Sequence, residues 1–297
     1  MISIKLKDLL RDTFSPNELN FLDKKTLNSI VQLEELIDLK KFIKECEIET
    51  KKPKISGSHR IEDWENGWSG KGVYYSGGKY NNLPFYFKNN THIRINNRVF
   101  QDKKGFAEVD LLRALQVIIF KKYLNFFDSK TVCEYGCGTG SNIQFLRNKI
   151  ISLNFYGTDW AKSACQMLIK NKILNHDKVF RTDYFDSSTF FSPPEKYLAF
   201  TNASLEQTGR NYEQFMMYLF EKDTCLGGIH IEPIKELLDL DFEINQQSFD
   251  YSKKRGYLDG FLGFMKSFSK IEIICAKDYG IGSKYINGYQ VLCWKKI

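Results

Sequence analysis

Across the first fifty residues apolar side chains recur every three or four positions, the spacing that lines one face of a helix. Residues 1 to about 50 are therefore predicted to be helical. Ser15-Pro16-Asn17-Glu18 reads as a helix start, with a capping hydroxyl, proline in the first turn and glutamate three residues after the cap. Asn28-Ser29 marks a break, since both side chains compete for backbone hydrogen bonds. Ile30, Leu33, Leu36 and Ile37 then carry a new stripe to about residue 43. From residue 51 the pattern loosens into lysine, glycine, asparagine and aromatic residues. Phe85-Tyr86-Phe87, residues 91–95 and Arg98-Val99-Phe100 are short strand candidates, separated by turns at Asn89-Asn90 and Asn96-Asn97. This stretch reads as a small β-rich cap or a long substrate loop. Helical spacing returns from residue 106 to about 127, with Leu111, Leu112, Leu115, Ile118 and Ile119 on the buried face.

Beyond Lys130 short apolar runs alternate with helical stretches. Strand candidates are residues 131–135, 154–158, 178–181, 197–201 and 229–232, with two more at 271–276 and 289–294. Such alternation implies an α/β domain, a mostly parallel sheet with helices on both faces. The predicted organisation is a helical segment and substrate cap over residues 1–104 and the α/β domain over residues 105–297.

Composition narrows the class. Hydrophobic residues make up 42% of the 297, enough for a folded core and against global disorder. No apolar run reaches membrane-spanning length and the N-terminus lacks a secretory core, so a cytoplasmic protein without a membrane span is expected. The seven cysteines are expected to be reduced and mostly buried. Cys133 and Cys137 have no nearby Cys/His partners for zinc, and no metal is expected. The formal charge of +7 suits an anionic small molecule drawn in by the field. Because the charge is scattered and no nucleic-acid motif appears, nucleic acid is the lesser reading. Oligomeric state is left open.

The chemistry concentrates in Val132-Cys133-Glu134-Tyr135-Gly136-Cys137-Gly138-Thr139-Gly140-Ser141-Asn142, which follows a strand and opens a helix. Glycines at 136, 138 and 140 let the backbone turn tightly and approach a ligand closely. Glu134 would repel a pyrophosphate and welcome the cationic amino group of a methionine moiety. Asp159, 19 residues after Gly140 and followed by Trp160, ends the next strand where it would grip ribose hydroxyls. Asp183, beside Tyr184, ends the third strand where an adenine amino group would lie.

These stations resemble the class I S-adenosylmethionine-dependent methyltransferases over roughly residues 105 to 297. The resemblance implies a Rossmann-like seven-stranded sheet with an antiparallel C-terminal strand, and S-adenosylmethionine as cofactor. It implies that Glu134, Gly136, Cys137, Gly138, Gly140 and Asn142 form the first motif, with Asp159 on the ribose. Trp160, Asp183 and Tyr184 would lie around the adenine, and Asn202 would line the cofactor. Gly227-Gly228 stands where the family places a glycine pair. Leu205-Glu206-Gln207, His230-Ile231-Glu232-Pro233 and Lys254-Arg255-Gly256-Tyr257-Leu258 are similar to a bacterial branch associated with cell-surface glycan pathways. Gln207 stands where many small-molecule methyltransferases place histidine.

Ligands of open α/β sheets sit beyond the carboxyl ends of the strands, which makes Glu206 and Glu232 candidates for substrate contact. Alternation puts His230 and Glu232 on one face of their strand. His230 is a candidate base, though its place one step inside the strand favours a hydrogen-bonded histidine buried in the sheet. Tyr74, Tyr75, Arg94 and Arg98 from the cap, with Arg255 and Tyr257, are candidates to hold a hydroxylated or anionic acceptor. The expected reaction is methyl transfer to a small-molecule oxygen, a sugar or sugar-phosphate hydroxyl. Methylation of a small amine and cofactor binding without catalysis remain as alternatives.

Overall fold

The computed structural model describes residues 2–75, 80–89 and 91–297. The chain begins with β1 (Ile2–Lys5), α1 (Leu6–Leu10), α2 (Pro16–Leu19), α3 (Lys24–Leu27), β2 (Ile30–Glu35), α4 (Leu39–Glu49) and α5 (Ile61–Lys71). The short strands β3 (Val73–Tyr75) and β4 (Leu83–Pro84) precede β5 (His92–Ile95), β6 (Arg98–Asp102) and the helix α6 (Ala107–Tyr123). There follow β7 (Thr131–Tyr135), α7 (Ser141–Lys149), β8 (Asn154–Asp159), α8 (Lys162–Lys170), β9 (Val179–Arg181), β10 (Tyr197–Asn202), α9 (Glu213–Glu221) and β11 (Cys225–Glu232). The tail holds α10 (Glu243–Arg255), α11 (Phe261–Ser267), β12 (Ile271–Lys277), β13 (Ile281–Gly282) and β14 (Gln290–Lys296).

The capping box at Ser15 forms as expected, with Ser15 and Glu18 bonding each other's backbone N–H. The helical reading of residues 1 to about 50 fails at β1 and at β2, the second of which follows the expected break at Asn28-Ser29. Val31 and Leu33 are buried there on alternate positions, and the strand pairs with β1 and β6. Period-two burial between two partner strands overrides an apolar spacing that also fits a helix. Phe85-Tyr86-Phe87 likewise forms a 3-10 turn in place of a strand. Asn96 and Asn97 take positive φ in the turn between β5 and β6, as expected. Asn90 lies outside the described residues, so the turn expected at Asn89-Asn90 is not described.

The large sheet has the order β12-β14-β11-β10-β7-β8-β9, parallel except for β14, which runs antiparallel to both neighbours. Its central strands β7, β10 and β11 are buried on both faces, while the edge strands β9 and β12 are partly exposed, and alternate residues enter different cores. Val132, Phe200 and Val291 join one cluster with α6, α7 and the N-terminal layer; Cys133, Ala199 and Trp294 join another with α9 and α11. Strand order reverses between β7 and β10, which opens a crevice at their carboxyl ends.

A second, antiparallel sheet runs β1-β2-β6-β5-β13. Its last strand comes from the tail: Ile281 pairs with Ile95 and Gly282 with Arg94. The expected boundary near residue 104 therefore does not separate two cores. α6 lies within the shared one, with 14 of its 17 residues buried, among them the polar Glu108, Arg113 and Gln116. No helix among the described residues is long and apolar enough to cross a membrane, and none of their Cys, His, Asp or Glu groups is arranged to hold a metal.

Candidate active site

The carboxyl ends of β7, β8 and β10 frame a cleft of about 700 Å³ counting its open mouth. The loop between β7 and α7 forms its floor. Gly136, Gly138 and Gly140 all take positive φ, at 73°, 52° and 72°. A Cβ on Gly136 would lie 2.3 Å from the Cβ of Ser204, and one on Gly138 would lie 3.0 Å from the Trp68 ring. Only glycine gives this cradle. Asp159 fastens it: Oδ2 accepts the Gly138 N–H and Oδ1 the Ala161 N–H, both at 2.9 Å. Burial pushes its carboxyl up to about 6. Each of its oxygens retains a lone pair for a ligand hydroxyl.

Behind the loop, Glu134 Oε1 accepts from Asn142 Nδ2 at 2.7 Å. Its Oε2 is buried without a partner, and burial pushes the carboxyl up to about 8. An orphaned acidic oxygen in low dielectric is costly until a donor, best a cationic one, reaches it. Gln116 of α6 ties the walls together, donating through Nε2 to Asn142 at 3.0 Å and to Asn202 at 3.1 Å. Cys137, Trp160, Tyr184 and Asn202 line the cleft. Glu134, Gly140 and Asp183 are not among the lining residues, Glu134 standing one layer behind the loop. Gly140 instead packs toward Ile173 and Leu168, and Asp183 accepts the Phe185 N–H of its own turn at 3.0 Å.

A second cavity, about 900 Å³ with its mouth, adjoins the cleft; Trp64, Tyr86, Ala203 and Gln207 line both. Ala203 sits at φ 50°, an uncommon conformation for a residue with a Cβ. Its N–H bonds the Ile231 carbonyl at 2.9 Å. Glu206, Arg255 and Tyr257, all anticipated, line this second space. Burial raises the Glu206 carboxyl above its ordinary range.

Other expected residues lie elsewhere. His230 is fully buried in the sheet; its Nε2 accepts from Trp294 Nε1–H at 2.9 Å. That bond places the ring proton on Nδ1, which donates to Thr201 Oγ1 at 2.9 Å. Burial drives the imidazole down to about 3, so it stays neutral and structural. Glu232 is also fully buried and clamps the turn after β10, accepting from the N–H of Ser204 and Leu205 at 3.1 Å and of Glu206 at 3.2 Å. Neither residue is among those lining the two spaces, so both step back from the catalytic role expected of them. Arg98 pairs with Glu35 on the small sheet. Arg94 is buried and bonds the Ile244 and Lys284 carbonyls and Gln247. Neither arginine lines the two spaces: Arg98 is held by Glu35 on the small sheet, and Arg94 by α10 and the Lys284 carbonyl. Tyr74 and Tyr75 fall in β3 with side chains outside the described residues.

Arg60, Trp64, Trp68, Tyr86, Glu108 and Gln116 were not anticipated. Glu108 and Gln116 carried a signal, as polar residues among the apolar positions of the long helix α6. Tyr86 and the α5 residues carried none, since their placement is tertiary.

Strand order, the single reversed strand and a cleft at the strand ends define the class as a Rossmann-like α/β fold, a mostly parallel seven-stranded sheet with one antiparallel C-terminal strand. No family model and no curated protein matches the chain. Among solved structures it is similar to a SAM-dependent methyltransferase from Anabaena variabilis, at 13% identity over 82% of this chain and 98% of that one, with a TM-score of 0.49. It is also similar to a magnesium protoporphyrin IX methyltransferase from Synechocystis with bound SAM, at 13% identity over 64% and 82% of the chains, TM-score 0.41.

Proposed function

We propose that the chain is an S-adenosylmethionine-dependent methyltransferase acting in the cytoplasm on a small anionic acceptor, at a sugar or sugar-phosphate hydroxyl of surface-glycan synthesis. The observation that carries this reading is the glycine cradle, backed by the orphaned Glu134 oxygen, sharing a wall with a second cavity. The residues fit the cofactor. Glu134 suits its ammonium, Asp159 its ribose hydroxyls, and Trp160, Tyr184 and Phe185 offer flat surfaces for adenine. Bound there, S-adenosylmethionine supplies an electrophilic methyl group on a sulfonium.

The chain's own residues align, exclude water and manage the proton. Tyr86, Trp64 and Gln207 form the passage between the spaces. Glu206 is the carboxylate nearest that passage in sequence and the candidate to orient the reacting hydroxyl and take its proton. Gln207 Nε2 donates to Glu206 Oε1 at 2.9 Å and holds it in place.

Calorimetry with S-adenosylhomocysteine tests the cofactor half. Micromolar binding is expected, and preferential binding of NAD would sink the class. Mass spectrometry of the protein with cofactor and a panel of sugar nucleotides, sugar phosphates and amines tests the acceptor half. A 14-dalton gain on an amine alone would move the reaction to nitrogen.

A further inference from the structure

Two guanidinium groups line the acceptor cavity, Arg60 and Arg255. They come from distant parts of the chain, yet their segments are pinned together. The Ser56 N–H donates to the Arg255 carbonyl at 2.8 Å, and Ser56 Oγ donates to the Gly256 carbonyl at 2.9 Å. Gly256 takes φ 68° and ends α10 directly after Arg255. Both arginines act electrostatically on the same groups, Glu206, Tyr251 and Tyr257.

Neither guanidinium is used up by the protein. Arg60, 12% exposed, gives Nε to Asp63 at 3.2 Å and Nη1 to Gln207 at 3.1 Å, and lies 5.5 Å from the Trp64 ring centre. Arg255 hydrogen-bonds the Tyr251 side chain and lies over Tyr257 at 4.9 Å, and its Nε is buried with no partner. A buried guanidinium donor left unpaired costs free energy that a ligand oxyanion would recover. The cavity also holds two carboxyl groups. Glu206 is bonded by Gln207, and Glu108 accepts the Tyr289 hydroxyl. Much of the remaining wall is tyrosine; Tyr251 stacks on Tyr285 at 5.8 Å. Flat aromatic faces beside fixed polar groups suit a sugar ring.

We propose that Arg60 and Arg255 form an oxyanion subsite, so that the acceptor is a monosaccharide bearing a carboxylate or phosphate. The charged group sits on the two arginines, the ring lies among the tyrosines, and the hydroxyl to be methylated points to the wall shared with the cofactor cleft. This inference rests on reading the cavity as the acceptor site.

The test is calorimetry on the full chain, with and without S-adenosylhomocysteine, using four probes: inorganic phosphate, glucose 1-phosphate, glucuronate and glucose. At least one charged sugar is expected to bind about tenfold or more tighter than glucose, weakening as salt rises. The stronger of the two tells phosphate from carboxylate. Arg60→Gln and Arg255→Gln should each lose about tenfold for that sugar and leave S-adenosylhomocysteine affinity within about twofold. Arg255→Lys, which keeps the charge but not the fork, should fall between. Equal affinity for glucose, or charged-sugar affinity unmoved in both glutamine variants, overturns the subsite. Should the wild type ignore S-adenosylhomocysteine while arginine-dependent phosphate binding persists, the cofactor reading fails and the subsite stands.

Discussion

The cofactor cleft and the acceptor cavity share a wall but are built in opposite ways. On its sheet side the cleft is made of strand ends: residues 136–139, 141 and 142 after β7, Asp159 and Trp160 at the end of β8, Thr182, Tyr184 and Phe185 after β9 and residues 202–204 at the end of β10, with Trp64, Trp68, Pro84 and Tyr86 closing the other side. Each station is a short run at a fixed place in a repeating unit. The cavity instead gathers single residues from the turn before α5, α6, the turn after β10, α10 and the tail around β13. Backbone geometry shapes the first space, through three positive-φ glycines. Side chains shape the second, so its chemistry is free to vary while the sheet stays fixed.

The sharpest way to break this contrast is Gly136→Ala. The new methyl group meets Ser204 at 2.3 Å, on a backbone at φ 73°. Left-handed backbone alone costs about 1–2 kcal/mol for an alanine, and the overlap adds to it. S-adenosylhomocysteine affinity should fall at least a hundredfold, about 3 kcal/mol or more. Phosphate binding at the acceptor cavity should survive. Calorimetry with both ligands reads the two spaces separately, and wild-type cofactor affinity in this variant would defeat the cradle.

Glu134→Gln should separate stability from binding. The Glu134 carboxyl rises from its ordinary 4.5 to about 8 and that of Asp159 from 3.8 to about 6, both through burial. The folded state then holds protons that the unfolded chain releases, so stability falls as pH rises from about 5 to about 8. The amide variant should flatten that slope and raise the ligand-free Tm at pH 8 by ~2 °C or more. Its affinity for S-adenosylhomocysteine should nonetheless drop by about 1.5–3 kcal/mol, since the ammonium loses a charged acceptor. Thermal melts across pH, paired with calorimetry, decide it. A variant that melts lower at every pH would mean that Glu134 is already satisfied in the free protein.

The same contrast explains what the sequence disclosed. The seven strands of the large sheet were legible because apolar runs alternate with helices, and the glycine loop because only glycine permits its backbone. β2 was not, because Leu33 fits both a strand alternation with Val31 and a helical stripe with Ile30, Leu36 and Ile37, and the partners β1 and β6 decide the matter. Nor did the strand pattern foretell that Ile281 and Gly282 would leave the large sheet to complete the small one. Glu232 and His230 stand at the right end of β11, yet the register turns both inward. Strand position limits where a side chain starts; only its partners say whether it reaches a ligand.

Glu232→Gln probes the shared wall. The carboxylate accepts three successive N–H groups at Ser204, Leu205 and Glu206. An amide turns one acceptor into a donor facing an N–H, at a cost of about 1–3 kcal/mol. The turn carries residues lining both spaces, so cofactor and acceptor affinity should weaken together, each by roughly threefold to tenfold. A fall in kcat with both affinities intact would return Glu232 to the reacting centre.

The smallest effect is expected from Arg98→Ala, which tests where the acceptor cavity ends. Net charge and position made Arg98 a plausible anion contact, but its guanidinium forms a forked pair with Glu35 on the small sheet. Both partners are well exposed, at 49% and 39%. An exposed pair contributes at most about 1 kcal/mol, even with good geometry. The variant should lose no more than that in urea unfolding, and the acceptor KM should stay within about twofold of wild type because long-range steering by one surface charge is screened beyond ~8 Å. Arg255→Gln in the same assay should raise KM about tenfold. If Arg98→Ala matched that rise, the acceptor would extend across the small sheet, and the cavity beside the cofactor cleft would be only part of its site.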